Sequence, residues 1–225
     1  MNKPYLIDII SSKIDGPPGY SYTMSMNITE WMYNSDVEFR EIFTHGEGSF
    51  TNMGSNDVLS VAINGHRNDI HIKINTKQHS AIDTITTCTD IQSGDDNLNI
   101  ITTEEVIVKY FPIAKWFHFA IVLAKNRVDV YIDGKLIITK ILPGQINLPT
   151  TDSELDGSDN SVESNVIKCF KGEPIKGEIS KFKAFDSELP LKLIQDIYAI
   201  STNNELSSQL PSDYYDYNYI ESECN

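Results

Sequence analysis

Apolar and polar side chains alternate from Trp116 to Leu136. Phe117, Phe119, Ile121 and Leu123 take every second place against His118, Ala120 and Val122. Val128, Val130 and Ile132 then alternate with Asp129, Tyr131 and Asp133. A period of two puts neighbouring side chains on opposite faces of a strand, one row on a core and the other toward solvent or a second layer. Ala124 to Arg127 is a polar break of hairpin length. Asp133-Gly134 signals a second turn, because glycine accepts the positive φ that tight hairpins need. Lys135 to Lys140 starts a third strand. The stretch therefore predicts an antiparallel meander, and a meander needs a partner layer to bury its apolar face.

Similar short runs recur along the chain. Strands are expected at residues 4–14, Tyr20 to Trp31, Phe39 to Thr44, Val58 to Ile63, Asp69 to Ile74, Ile82 to Cys88 and Asn99 to Ile107. Two more are expected at Val166 to Phe170 and Gly177 to Phe185. Short strands at this spacing, joined by polar turns, indicate a sandwich or jelly roll rather than a parallel sheet. Met24, Met26 and Trp31 are expected in its core. A short helix should follow, capped by Asp186 or Ser187, with Pro190 in its first turn and Leu193, Ile194 and Ile197 on one apolar face. It should end near Ser201. The tail at 202–225 is acidic and tyrosine-rich and lacks the aliphatic surface to fold alone. It reads as disordered or as a docking arm, with Tyr214, Tyr215, Tyr217 and Tyr219 offering contact area with polar tips.

Three motifs in order carry a family resemblance. They are SYTMSMNITEWMY with EIFTHG after it, WFHFAIV with VDVYIDGKLI, and GEISKFKAFDSELPLKLIQDIY. Together they resemble the laminin-G-like jelly rolls of the concanavalin A-like lectin/glucanase superfamily, over roughly residues 5–200. The spelling is most similar to members from large DNA viruses, with one departure: Met26 stands where that subgroup usually has tryptophan. The resemblance implies an all-β, concanavalin A-like antiparallel β-sandwich (jelly roll) at 1–201 with one short C-terminal helix. It is weak for function, because this fold hosts lectins, glucanases, adhesion modules and virus particle proteins.

Composition narrows the field. The 225 residues carry 18 Lys and Arg against 32 Asp and Glu, a net charge of −14. That opposes binding along a nucleic acid backbone, which needs clustered cations. It suits solubility, a basic protein partner or divalent cations. Cys88, Cys169 and Cys224 are three sparse cysteines and do not read as a disulfide framework. The N-terminal apolar run is short and interrupted by Asp8, so no signal peptide is expected. No run approaches the roughly 20 apolar residues of a membrane span. Localisation in a virion or the host cytoplasm follows from these readings.

Candidate chemistry is thin. Glucanases of the superfamily flank the glycosidic bond with carboxylates two residues apart on one strand, and no strand here has that spelling. Asp129 and Asp133 are four apart, and Asp129 reads as a solvated, turn-proximal carboxylate. No enzyme activity is expected. Asp152, Glu154, Asp156 and Glu163, with Gly157, approximate the spacing of a calcium loop. Asp159 occupies a position that is normally apolar, and the flanks are not helical, so the alternative is an acidic loop in water. Calcium is thus the one cofactor in view. The Gly-rich run from His45 to Asn56 lacks a phosphate-loop lysine and is not read as a nucleotide site. His118 falls outside the Phe117/Phe119 row, as a surface or interlayer histidine. These readings leave a non-catalytic binding module. Its first form is a minor capsid or particle-surface protein of a large DNA virus, acting through contacts with other viral structural proteins. The alternative is a carbohydrate-binding lectin, with or without calcium.

Overall fold

A computed structural model describes residues 5–7, 18–29, 37–79, 99–147, 166–169 and 175–202. Trp31, the loop residues Asp152, Glu154, Asp156 and Glu163, and the tail residues Tyr214, Tyr215, Tyr217 and Tyr219 lie outside the described residues. So does the strand expected at Ile82 to Cys88.

The chain runs through β1 (Tyr5–Ile7), β2 (Pro18–Ile28), β3 (Phe39–His45), β4 (Leu59–Asn64), β5 (Asp69–His79) and β6 (Asn99–Lys109). It continues through β7 (Phe117–Ala124), β8 (Arg127–Ile132), β9 (Lys135–Ile141), β10 (Gln145–Ile146), β11 (Ile167–Cys169) and β12 (Gly177–Ser187), and ends in α1 (Leu191–Thr202). Among the described residues these strands form two antiparallel sheets. One has the order β1-β11-β3-β4-β5-β10 with β6 also on β5, and the other β12-β2-β7-β8-β9. The two stack as an all-β jelly-roll sandwich with one short helix, as the spacing of strands predicted.

The predicted meander is present. Phe119 pairs with Ile132, Leu123 with Val128 and Ala124 with Arg127. Asp133 and Gly134 both take positive φ, 50° and 69°, and join β8 to β9 as a two-residue turn. Phe117, Phe119, Ile121 and Leu123 face the other sheet and pack with Tyr22, Met24, Met26, Phe43, Ile72 and Val108. Tyr22 and Phe43 meet across the two layers with ring centroids 5.2 Å apart. Burying one such side chain contributes on the order of 1.5–3 kcal/mol. Tyr22 also lies 2.6 Å from His45 Nδ1 through its hydroxyl. Burial pushes its pKa well up, so the phenol keeps its proton.

All eight residues of β7 are buried, so its second row also has a cover. Helix α1 is that cover: Leu193 and Ile194 pack on Ala120, Val122, Tyr131 and Phe185, with Ile197 beside them. The expected apolar face of the helix is therefore correct, and its expected start is not. Asp186 and Ser187 belong to β12. Pro190 O accepts the N–H groups of Leu193 and Ile194, at 2.9 and 3.2 Å, so the first turn closes on the residue before the helix. Ser21 fixes the link into the helix from beneath. Its Oγ donates to Ser187 O at 2.7 Å and accepts from Leu189 N at 2.9 Å.

Asp129 differs from its reading as a solvated carboxylate. It is 7% exposed, accepts from Arg127 Nε at 2.9 Å and from Thr139 Oγ1 at 2.7 Å. Arg127 also donates to Glu188 Oε1 at 2.5 Å. The alternation put Asp129 on the outer row correctly, but Thr139 of β9 and Glu188, which close the network around it with Arg127 of its own strand, come from elsewhere in the chain.

Candidate functional site

The outer face of the five-stranded sheet is dry only under the apolar part of α1. Toward the other end of that face the register aligns a polar row. Ser180 of β12 pairs with Ser25 of β2, and Ser25 pairs with His118 of β7. Asp133, at the β8–β9 turn, closes the row: its N–H donates to His118 O at 2.8 Å, and its Oδ1 accepts the His118 N–H at 2.9 Å. Each residue is there because a period of two sends every second side chain outward.

Helix α1 overhangs this row by its last turn. Tyr198 lies above Gly134 and faces His118 with ring centroids 5.9 Å apart. A side chain at Gly134 would place Cβ 3.1 Å from the Tyr198 ring, so glycine meets both the turn and the close approach here. Ser201 and Thr202 stand at the rim. On β12, an irregularity between Ser180 and Lys183 puts Lys181 at φ 54° and turns it toward the helix, where Nζ donates to Ser201 O at 3.3 Å. Trp116, 48% exposed, forms the opposite wall. The result is an open cavity of about 280 Å³ with aromatic walls and a polar floor. Ligand pockets run from roughly 300 to 1,000 Å³, so this one suits one small ring or a short chain end.

His118 is the unusual member. It is 3% exposed, yet neither ring nitrogen has a hydrogen-bond partner among the described residues. Buried polar atoms are nearly always bonded, and each one left unpaired costs about 1–3 kcal/mol. Burial pushes its pKa down to about 4, against the opposing pull of the Asp133 carboxylate. At neutral pH the ring is uncharged, with one nitrogen a donor and the other an acceptor. Both nitrogens are shut off from the cavity as the ring stands, so the polar groups open to a ligand are those of Ser25, Asp133, Ser180 and Lys181.

The sequence placed His118 as a surface or interlayer residue, and the structure makes it interlayer. Ser25, Ser180, Lys181 and Tyr198 carried no sequence signal, because they converge only through strand pairing. Asp133 was marked for its turn, and its carboxylate was weighed only with Asp129, four residues away. It is the one carboxylate lining the cavity among the described residues. Groups of three or more His, Cys, Asp or Glu placed to hold a metal do not occur among the described residues.

No family model and no curated protein matches the chain. Solved structures do. The botulinum neurotoxin serotype D binding domain is similar with a TM-score of 0.53 and 15% identity, over 87% of this chain and 40% of that one. The receptor binding domain of the botulinum neurotoxin mosaic serotype C/D is similar with a TM-score of 0.50 and 14% identity, over 81% of this chain and 36% of that one. This chain thus matches less than half the length of those domains. Identities this low establish shared architecture and no more. The laminin-G name and the viral affiliation expected from the motifs gain no support from these likenesses. The chain has the jelly-roll, concanavalin-like sandwich that forms part of these neurotoxin binding domains.

Proposed function

We propose that this chain is a non-catalytic recognition domain that binds carbohydrate in the cleft between Trp116 and the last turn of α1. The observation that carries the reading is the lining: an exposed tryptophan and a tyrosine wall a cavity whose polar groups are Ser25, Asp133, Ser180 and Lys181. Sugar rings match that combination. Their C–H faces stack on aromatic rings, and their hydroxyls both donate and accept. A hydrolase would need a second carboxylate about 5–9.5 Å from the first, and Asp133 has none beside it in the cavity lining. The structures of similar fold are described as binding domains, which agrees with this reading.

The test is a glycan array with the full chain, repeated with Trp116→Ala and with chelator present. Retained glycans that disappear with Trp116→Ala support the cleft. Binding that survives Trp116→Ala but is released by chelator would move the site to the acidic loop at 152–163. An array with no retained glycan sinks the proposal.

A second reading, a structural component of a large DNA virus particle acting through protein contacts, is favoured by a separate feature. The edge strand β9 exposes Leu136, Ile137 and Ile141. An exposed apolar edge is a ready surface for a protein partner. Under this reading, Ile137→Lys with Ile141→Lys would abolish co-sedimentation with purified particle proteins and leave glycan binding intact. Unchanged co-sedimentation would remove the edge from consideration.

A further inference from the structure

The irregularity on β12 gathers positive charge beside the cleft. Ser180 pairs with Ser25 and Lys183 with Thr23, so both lie on the outer face of the sheet, in line with His118 and Ala120. Phe182 between them turns inward and meets Phe43 with ring centroids 5.0 Å apart. The extra residue is Lys181, at φ 54°. A lysine in the left-handed region is strained, and such strain collects at ligand sites. Lys181 lines the cavity, and Lys183 lies close to it: burial first, and then the Lys181 ammonium, push the Lys183 pKa down. Lys181 donates to Ser201 O at 3.3 Å, a long bond that uses one of its three donors.

The other charge in the lining is Asp133. Its Oδ1 accepts the His118 backbone N–H, and Oδ2 has no partner among the described residues. Among the described residues no ion pair joins Asp133 to Lys181. Strands β2 and β7 run between β12 and β8, so the two backbones stand about 14 Å apart, three strand spacings. The cavity therefore has a cationic side and an anionic side, with Trp116 as a stacking wall. A ligand that meets both sides carries an acidic group at one end of its ring and a hydrogen-bond donor at the other. A sugar acid has that layout, because ring carbons opposite its carboxylate bear hydroxyls. The net charge of −14 does not oppose this locally: the described residues carry 15 Lys and Arg against 13 Asp and Glu.

We infer that the cleft selects sugar acids: the carboxylate pairs with Lys181, a hydroxyl on the far side of the ring donates to Asp133, and the ring stacks on Trp116. This inference rests on the cleft being a glycan site. Lys181 supplies the selectivity, Asp133 fixes the orientation, and Lys183 adds to the positive field on the acid.

The experiment is titration calorimetry of the full chain with methyl glucuronide and methyl galacturonide, each beside the neutral methyl glucoside or galactoside of the same ring. Sodium acetate is the control for a bare carboxylate. Lys181→Gln keeps a donor for Ser201 O and removes the charge, and Lys181→Arg keeps the charge. Unfolding midpoints measured alongside separate loss of fold from loss of binding. At least one uronide should bind about tenfold or more tightly than its neutral partner, and added salt should narrow the gap. Lys181→Gln should abolish the preference and Lys181→Arg should retain it. Asp133→Asn should weaken acidic and neutral sugars alike. If both members of each pair bind equally and Trp116→Ala removes both, the glycan site stands and the acid selectivity is overturned. A preference that survives Lys181→Gln overturns the assignment to Lys181. Acetate that competes as well as the uronide reduces the site to one for a carboxylate alone and overturns the sugar. If neither uronide binds while other glycans do, this inference falls by itself; if no glycan binds, it falls together with the proposed function.

Discussion

The two outer faces of the sandwich are both covered, and the covers differ. On the seven-stranded sheet the cover is the loop from Gly46 to Val58, and its polar groups are closed on one another. Asp57 accepts the N–H groups of Glu47, Gly48 and Gly54 at 2.8, 3.1 and 2.6 Å. Asn75 donates to Gly54 O and Asp57 O, and Lys73 donates to Phe50 O and sits 4.4 Å over the Phe50 ring. Phe50 N donates to Glu41 Oε2 at 2.8 Å. On the five-stranded sheet the cover is α1, and the polar row beneath its last turn is left open at His118. A closed polar network specifies one conformation of a loop. The other holds a desolvated imidazole whose bonds no described residue makes. Glycine and charge in the loop serve structure. The histidine between phenylalanines read as a surface or interlayer residue, and it lies beneath the cleft.

The sharpest way to break the comparison is to open the closed cover. Asp57→Ala removes one buried acceptor from three N–H groups, and should lower stability by about 3 kcal/mol. Denaturant unfolding would show this as a lower midpoint, while glycan affinity measured at low temperature stays within twofold. A large loss of affinity instead would show that the two faces are coupled.

The pH dependence of stability probes the open cover. His118 has a folded pKa of about 4, below its ordinary 6.5. Above pH 6.5 the ring is neutral in both folded and unfolded chains, and the full stability is present. As pH falls from 6.5 toward 4, only the unfolded chain takes up the proton, so stability is lost across that window, by about 3 kcal/mol in total. His118→Phe should flatten this part of the profile. At neutral pH it should also raise stability by about 1 kcal/mol, because it removes an unpaired buried polar ring. A His118→Phe profile parallel to that of the native protein would reassign the titration to another group.

Gly134→Ala should cost about 1 kcal/mol, from the positive φ and from displacement of Tyr198. Glycan affinity should fall with it, since Tyr198 overhangs the cavity. The smallest stability effect belongs to Trp116→Ala. The side chain is half exposed, so the unfolding midpoint should shift by less than the equivalent of about 0.5 kcal/mol. Affinity should fall by about tenfold or more, the loss of a stacking surface. Equal losses in stability and affinity would make Trp116 a packing residue.

Much of the architecture was legible along the chain. The inward rows of β2 and β7, with Met24, Met26, Phe117 and Phe119 buried, follow from a period of two. The β8–β9 turn follows from Asp133-Gly134, because few other pairs accept two positive φ angles in succession. The apolar stripe of α1 follows from Leu193, Ile194 and Ile197 at helical spacing. The helix start was misplaced because Asp186 and Ser187 are good caps locally, yet both lie in β12, where Ser187 pairs with Pro18 of β2. Asp129 was misjudged because its partners, Thr139 on the next strand and Arg127 two residues back, are set by the pairing of β8 and β9 and by the position of Glu188.

What the sequence determined by itself was periodicity and local backbone preference: which side chains alternate, where the chain turns, and which helix face is apolar. Those properties depend on neighbours a few residues apart. Tertiary structure alone decided that residues 25, 118, 133, 180 and 198 share one cavity, that α1 seals one end of a sheet face and overhangs the other, and that His118 is desolvated without a partner. The physical reason is that burial and unmet hydrogen bonding depend on what is packed nearby in space. Here those residues come from three strands, a turn and a helix distant in the chain, brought into register only when the sandwich closes.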